Sequence, residues 1–289
     1  MPDTNQGWRS MDNNRQEQNR RFVVNGVAFT MVFVEGGSFR MGCTESQLIT
    51  NMSVNPPHIL LEPDEVPCHD VILSSCHIGQ TPVTQELWMA VMIENPSRYN
   101  GYKRPVECVS WYDCQEFIRR LNELTGEQFR LPTEAEWEFA ARGGNKSKDY
   151  RYSGSNILND VGWYWKNSGD NSLDCSEDTF TCFEDDPRLD DYLFFDKSKA
   201  YTHEVASKSP NELGIYDMSG NVYEWCNDWY DADYYTNCPK RNPQGPDTGT
   251  FRVNRGGSWV NAVEGCRNAA RSACSPDSKY SNIGLRLAL

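Results

Sequence analysis

The side chains able to do thiol or imidazole chemistry are eleven cysteines and four histidines, His58, His69, His77 and His203. An odd number of cysteines cannot pair completely within one chain, and no CxxC occurs. Cys68-His69 and Cys76-His77 look like metal-binding pairs, but their spacing fits no zinc pattern, so packed or free thiols are the expectation. Cysteine usage leaves the compartment open. Carboxylates abound, yet no spacing isolates an acid–base pair. The GxGxxG, P-loop, HExxH and GxSxG patterns are absent. Four scattered histidines give little basis for a Ser-His or Cys-His hydrolase.

The chain of 289 residues carries 28 basic and 41 acidic residues, a net charge of −13. Such a chain repels phosphate backbones and anionic lipid, and no Lys/Arg block makes a local exception, so nucleic acid is not an expected partner. Apolar residues make up 38% and aromatics 12%, which marks a folded protein with many polar loops. The longest apolar run, Val27 to Val34, is about half of what a membrane span needs. Residues 1–21 read as a polar tail without the apolar core of an export signal.

The elements that must position any site begin at Phe22. Phe29 to Val34 and Ser38 to Gly42 are strand-like around Gly36-Gly37. Thr84 can cap a helix carrying Leu87, Trp88 and Val91. Ser110 with Asp113 is a variant capping box for a second helix, whose Trp111, Cys114, Phe117, Ile118, Leu121 and Leu124 recur at helical spacing until Gly126. Thr133 with Glu136 opens a third, which buries Trp137 and Ala140 and ends at Gly143-Gly144. Regular periodicity then fades. The region near 170–200 reads as a solvated acidic insertion that Cys175 and Cys182 would close as a loop. No linker or solenoid repeat divides residues 22–289, which form one domain.

Seven stretches carry most of the information. They are Glu35 to Gly42, Thr81 to Gln85, Arg104 to Trp111, Phe129 to Glu138, Leu213 to Trp225, Arg255-Gly256-Gly257-Ser258-Trp259, and Ile283 to Leu287. In this order they resemble the formylglycine-generating-enzyme, or sulfatase-modifying factor, family. The resemblance implies an α+β, C-type lectin-like fold with little regular secondary structure and long loops. Active members use two cysteines after the Gly-Gly-Ser to bind copper and oxidise a substrate cysteine. Those positions fall here on Asn261 and Cys266. An amide cannot replace a thiolate as a Cu(I) ligand or redox partner, so neither copper nor catalysis is expected, with Cys266 a buried thiol. Cys274 lies at another offset and does not restore the pair. The resemblance also implies calcium as a structural cofactor, held by Asp217, Gly220, Val222 and Glu224. Alternatively, Asp217 and Glu224 only satisfy backbone NH groups of the turn.

The segment Trp259 to Asn282 resembles the variable region of proteins diversified by retroelements, which share this fold. The resemblance implies a ligand-binding face built from Val260, Asn261, Ala262, Gly265, Ala270, Ser272, Ala273, Cys274, Ser278, Tyr280, Ser281 and Asn282. Trp259, Cys266, Arg267, Ala269, Arg271, Ile283 and Leu285 would form a fixed frame. Tyr280 is the expected anchor; Trp163, Trp165 and Tyr230 are candidates for the rim, with core packing the favoured reading for most tryptophans. The function expected is a non-catalytic, monomeric binding protein facing a protein or other macromolecular surface. By the same resemblance it would sit at the cell surface as a bacterial lipoprotein, with a variable segment near 255–289. A copper-oxidase relative with altered ligands and a catalytically dead structural paralogue are the alternatives.

Overall fold

The computed structural model describes residues 18–44, 49–51, 58–60, 62–169 and 200–289. The acidic insertion with Cys175 and Cys182 lies outside them, as does most of the segment read as a tail. β1 (Arg20–Val24) and β2 (Val27–Val34) form a hairpin. Its Asn25-Gly26 turn puts both residues at positive φ, the backbone twist that a two-residue hairpin needs. β1 thus begins two residues inside the expected tail. Ordering starts earlier still, because the Gln18 carbonyl contacts His77 Nε2 and Asn19 Oδ1 accepts from Phe33 N–H.

β3 (Gly37–Met41), the short pair β4 (Ile49–Asn51) and β5 (His58–Leu60), and β6 (His69–Leu73) follow, with β3 antiparallel to β6. β7 (Cys76–Gly79) completes a first sheet of order β1-β2-β7. Three helices come next: α1 (Gln85–Met92), α2 (Trp111–Thr125) and α3 (Glu134–Ala141). Thr84 caps α1, and reciprocal capping boxes open α2 and α3 at Ser110/Asp113 and Thr133/Glu136. Leu124 departs from its expected core position and is 55% exposed, because the buried stripe of α2 ends with Leu121.

After the single turn α4 (Leu158–Val161) come β8 (Tyr223–Trp229), β9 (Arg252–Arg255), β10 (Arg271–Cys274) and β11 (Ile283–Leu285). They form a sheet of order β10-β9-β8-β11, with β11 parallel to β8. One core joins α1 and α2 to both sheets through Met31, Trp88, Phe117, Leu121, Trp225 and Leu285. A second lies under α3 around Trp137, Met41, Val71 and Ile78. The C-terminus clasps the two: Leu287 and Leu289 bond to Gly79 and His77, and Ala288 to Arg130. No helix among the described residues is long and apolar enough to cross a membrane.

Candidate functional site

The C-terminal segment is pinned by buried ion pairs that hydrophobic pattern does not reveal. Arg255 reaches Glu138, Arg267 reaches Glu65, Arg271 reaches Glu134, and Arg286 reaches Glu224. Burial alone would raise the Glu134 carboxyl, but Arg271 and Arg255 hold it below the ordinary range. Two of these arginines, Arg255 and Arg286, stand in the Gly-Gly-Ser and Ile283 to Leu287 blocks, where the sequence marks them. The partners Glu65, Glu134 and Glu138 are distant in the chain and were not foreseen.

β9 ends at Gly256-Gly257, both at positive φ. A Cβ on Gly257 would lie 2.6 Å from Cys266 Sγ and 2.7 Å from the Gly265 carbonyl oxygen, so only glycine lets these backbones approach. The turn delivers Ser258, whose hydroxyl donates to Asn261 Oδ1 at 2.5 Å. Asn261 Nδ2 donates to the Tyr223 hydroxyl at 2.9 Å, and the Asn261 carbonyl accepts from Trp165 N–H. Asn261 is therefore a buried crosslink between β8 and the Gly-Gly-Ser turn. Cys266 is also buried, packed with Tyr152, Leu158, Val161 and Tyr164. Cys43 and Cys76 are poor nucleophiles at neutral pH, since burial pushes their thiols up to about 11 and about 12. Among the described residues, no three His, Cys, Asp or Glu side chains gather as a metal-binding group.

The Asp217–Glu224 turn is a hub of the fold. Asp217, Gly220 and Asn221 all take positive φ. Gly220 and Asn221 donate backbone bonds to Gly256 and Trp163, while the Asn221 side chain brackets His203. Glu224 corrects the expected calcium set. Its Oε2 accepts from Trp137 Nε1 at 2.7 Å and Arg286 Nε at 2.8 Å, and its Oε1 accepts from the Arg286 terminal amine at 2.7 Å. A dication there would have to displace a guanidinium held by two bonds.

Asp217 keeps one open oxygen. Oδ2 accepts from Ala206 N–H, Oδ1 has no hydrogen-bond partner, and burial raises the carboxyl to about 6. With Glu224 committed to Arg286, the set Asp217, Gly220, Val222 and Glu224 does not fit a calcium ion as arranged. Chelation by EDTA is accordingly expected to leave Tm unchanged in a thermal scan. A fall reversed by added calcium would mean that Arg286 yields to the ion.

The structure divides the expected ligand-binding face. Val260, Asn261, Ala270, Ser272 and Ser281 are buried, none more than 7% exposed, against the expectation that they face solvent. The reasons are local. Val260 packs with Ala200 and Trp259, and Asn261 serves the crosslink above. The Ala270 carbonyl accepts from Arg255, Ser272 pairs with Asn254 in β10–β9, and the Ser281 carbonyl accepts from Trp259 Nε1. Ala262, Gly265, Ala273, Cys274, Ser278, Tyr280 and Asn282 are half-buried. The frame residues Trp259, Cys266, Arg267, Ala269, Arg271, Ile283 and Leu285 are all buried.

Of the rim candidates, Trp165 packs beside Cys266, and the Tyr230 hydroxyl donates to Asp64. Trp163 stacks on His203 with ring centroids 3.7 Å apart. Tyr201 lies beside His203, and Tyr99 lies edge-on to Trp259, extending an aromatic run that sequence spacing hid. A cleft of about 210 Å³ between β2, residues 79–84 and the first turn of α1 contains none of the expected site residues.

A sequence pattern described as a sulfatase-modifying factor enzyme 1-like domain matches residues 18–289. The chain belongs to this family. It is 36% identical over 272 residues to the chaperone protein LppX of Paenibacillus barcinonensis, covering 82% of this chain and 81% of the relative. It is 37% identical over 187 residues to the formylglycine-generating enzyme of Streptomyces coelicolor, covering 64% of this chain and 52% of that enzyme. The match thus spans about half of the enzyme's length. Among solved structures, Treponema denticola variable protein 1 superposes with a TM-score of 0.69 at 31% identity, covering 93% of this chain and 98% of that one. The fold is accordingly the α+β, C-type lectin-like fold of this family.

Proposed function

We propose that the chain is a non-catalytic binding protein that presents half-buried C-terminal residues at the surface of a rigid scaffold. The observation that carries this reading is Asn261. Both ends of its amide are engaged, by Ser258 and Tyr223, at the position where an oxidase of this family needs a thiolate. Likeness to a variable protein supports the same reading. So does likeness to a chaperone, since a chaperone also binds protein without transforming it. The binding positions are Ala262, Gly265, Ala273, Cys274, Ser278, Tyr280 and Asn282, with a protein or other macromolecular surface as ligand. Retroelement-driven variation of these positions and display at the cell surface belong to this reading. Mass spectrometry of a sulfatase-motif peptide incubated with the protein, with and without copper, tests it. No formylglycine is expected above a Cys266→Ser control, and turnover above that control would overturn the reading.

A further inference from the structure

Arg252 on β9 is held unlike the other arginines of the C-terminal region. Its guanidinium carbon lies 3.5 Å from the ring centroid of Trp229 and 3.9 Å from that of Trp111. Both indoles are fixed. Trp111 Nε1 donates to the Cys226 carbonyl, and Gly249 packs so closely on Trp229 that a Cβ there would meet its side chain at 2.9 Å. Arg255, Arg267, Arg271 and Arg286 each bond a carboxylate. Arg252 instead donates one amine to the Asn227 carbonyl, and its Nε–H is buried with no partner. Among the described residues no carboxylate pairs with it. Its electrostatic neighbours are the Tyr112 phenol and Asp228. Burial and the nearby Glu134 push the Asp228 carboxyl well above the ordinary range, and its Oδ2 accepts from Glu134 N–H rather than forming an ion pair with Arg252.

Two exposed aromatics adjoin the slot in the chain: Tyr112 follows Trp111 on α2, and Phe251 precedes Arg252. Tyr112 is 51% and Phe251 45% exposed, and Tyr112 stands edge-on to Trp111. Cys274 pairs with Arg252 across β10–β9, and Trp111 N–H donates to the Pro276 carbonyl. The slot therefore adjoins the strand that carries Ala273 and Cys274.

We propose that the Trp111–Arg252–Trp229 slot docks an Asp or Glu side chain of a partner protein segment, with an adjacent apolar residue against Tyr112 and Phe251. This rests on the binding reading above and names the partner chemistry. A partly buried cation between two indoles forms no ion pair among the described residues, and a carboxylate reaching its edge would supply a charge-assisted bond. Arg, Trp and Tyr are also the residues that dominate binding energy at protein interfaces. The net charge of −13 disfavours an acidic segment in general, so its capture has to rest on a local cation such as Arg252.

The test is to pan phage-displayed random peptides against the full chain and measure the Kd of enriched sequences by fluorescence anisotropy. The expected peptides share Asp or Glu beside an apolar residue. Arg252→Gln should raise Kd at least about tenfold, equal to 1.4 kcal/mol. Tyr112→Ala and Phe251→Ser should weaken binding with Tm unchanged, and these exposed positions decide the matter if Arg252→Gln does not fold. Enriched peptides without carboxylates, full competition by inorganic phosphate, or Kd values unmoved by all three substitutions would overturn the proposal. Peptides insensitive to these substitutions but lost on changes at Ser278 or Tyr280 would sink this slot and leave the binding reading standing. A panning that enriches nothing also overturns the slot, whereas the binding reading is decided by randomising the C-terminal positions.

Discussion

Glu224→Ala should destabilise the protein by about 3–5 kcal/mol, read as a large fall in Tm or a loss of soluble expression. The substitution leaves the buried Arg286 guanidinium without its counter-ion and orphans the Trp137 indole N–H. The cost comes from stranding a charge, because a buried ion pair contributes little against an apolar pair of similar volume. Glu224→Gln combined with Arg286→Met should therefore cost less than the sum of those two single substitutions, a non-additivity that a double-mutant cycle measures. A loss equal to or greater than that sum would show that Arg286 matters through its bonds to the Gly79 and Tyr216 carbonyls rather than through Glu224.

The second large effect is expected at Gly257. Alanine there meets two obstacles at once: a left-handed backbone that costs a side chain about 1–2 kcal/mol, and a Cβ pressed against Cys266 Sγ and the Gly265 carbonyl. Overpacking of that kind adds about 1–3 kcal/mol. Relief would require the 262–266 loop to move away from the turn, breaking the alignment of Ser258 with Asn261. Gly214→Ala is the matched control, since Gly214 shares positive φ but has nothing within 4 Å of its Cβ position. Denaturant titration should show Gly257→Ala losing markedly more stability than Gly214→Ala, and similar losses would assign the effect to backbone conformation alone.

How far the sequence spoke depended on the range of the physics involved. Thr84, Ser110/Asp113 and Thr133/Glu136 announce helix starts because capping is settled within four residues. The Gly-Gly-Ser and Asp217–Glu224 blocks placed the two turns that meet around Asn221 and Gly256. Exposure of the C-terminal segment was only partly legible. Ser272 and Ser281 look like surface residues, yet a sheet pairing and a bond to Trp259 draw them inward. The Arg252 slot was not legible either, since Trp111, Trp229 and Arg252 belong to three elements that only the tertiary fold brings together.

The division of the C-terminal segment bears directly on the binding claim. A position that varies must not carry the core, because a buried large-to-small change costs about 2–5 kcal/mol. The most direct measurement is to randomise Ala262, Gly265, Ala273, Cys274, Ser278, Tyr280 and Asn282 together in a displayed library, beside a second library randomised at Val260, Asn261, Ala270, Ser272 and Ser281. Both are scored for protease-resistant folding, then for selection on an immobilised protein target. Most members of the first library should fold and yield binders that the parent lacks, while the second should largely unfold. Equal loss of folding in both, or folded members of the first library that never acquire a ligand, would contradict the account.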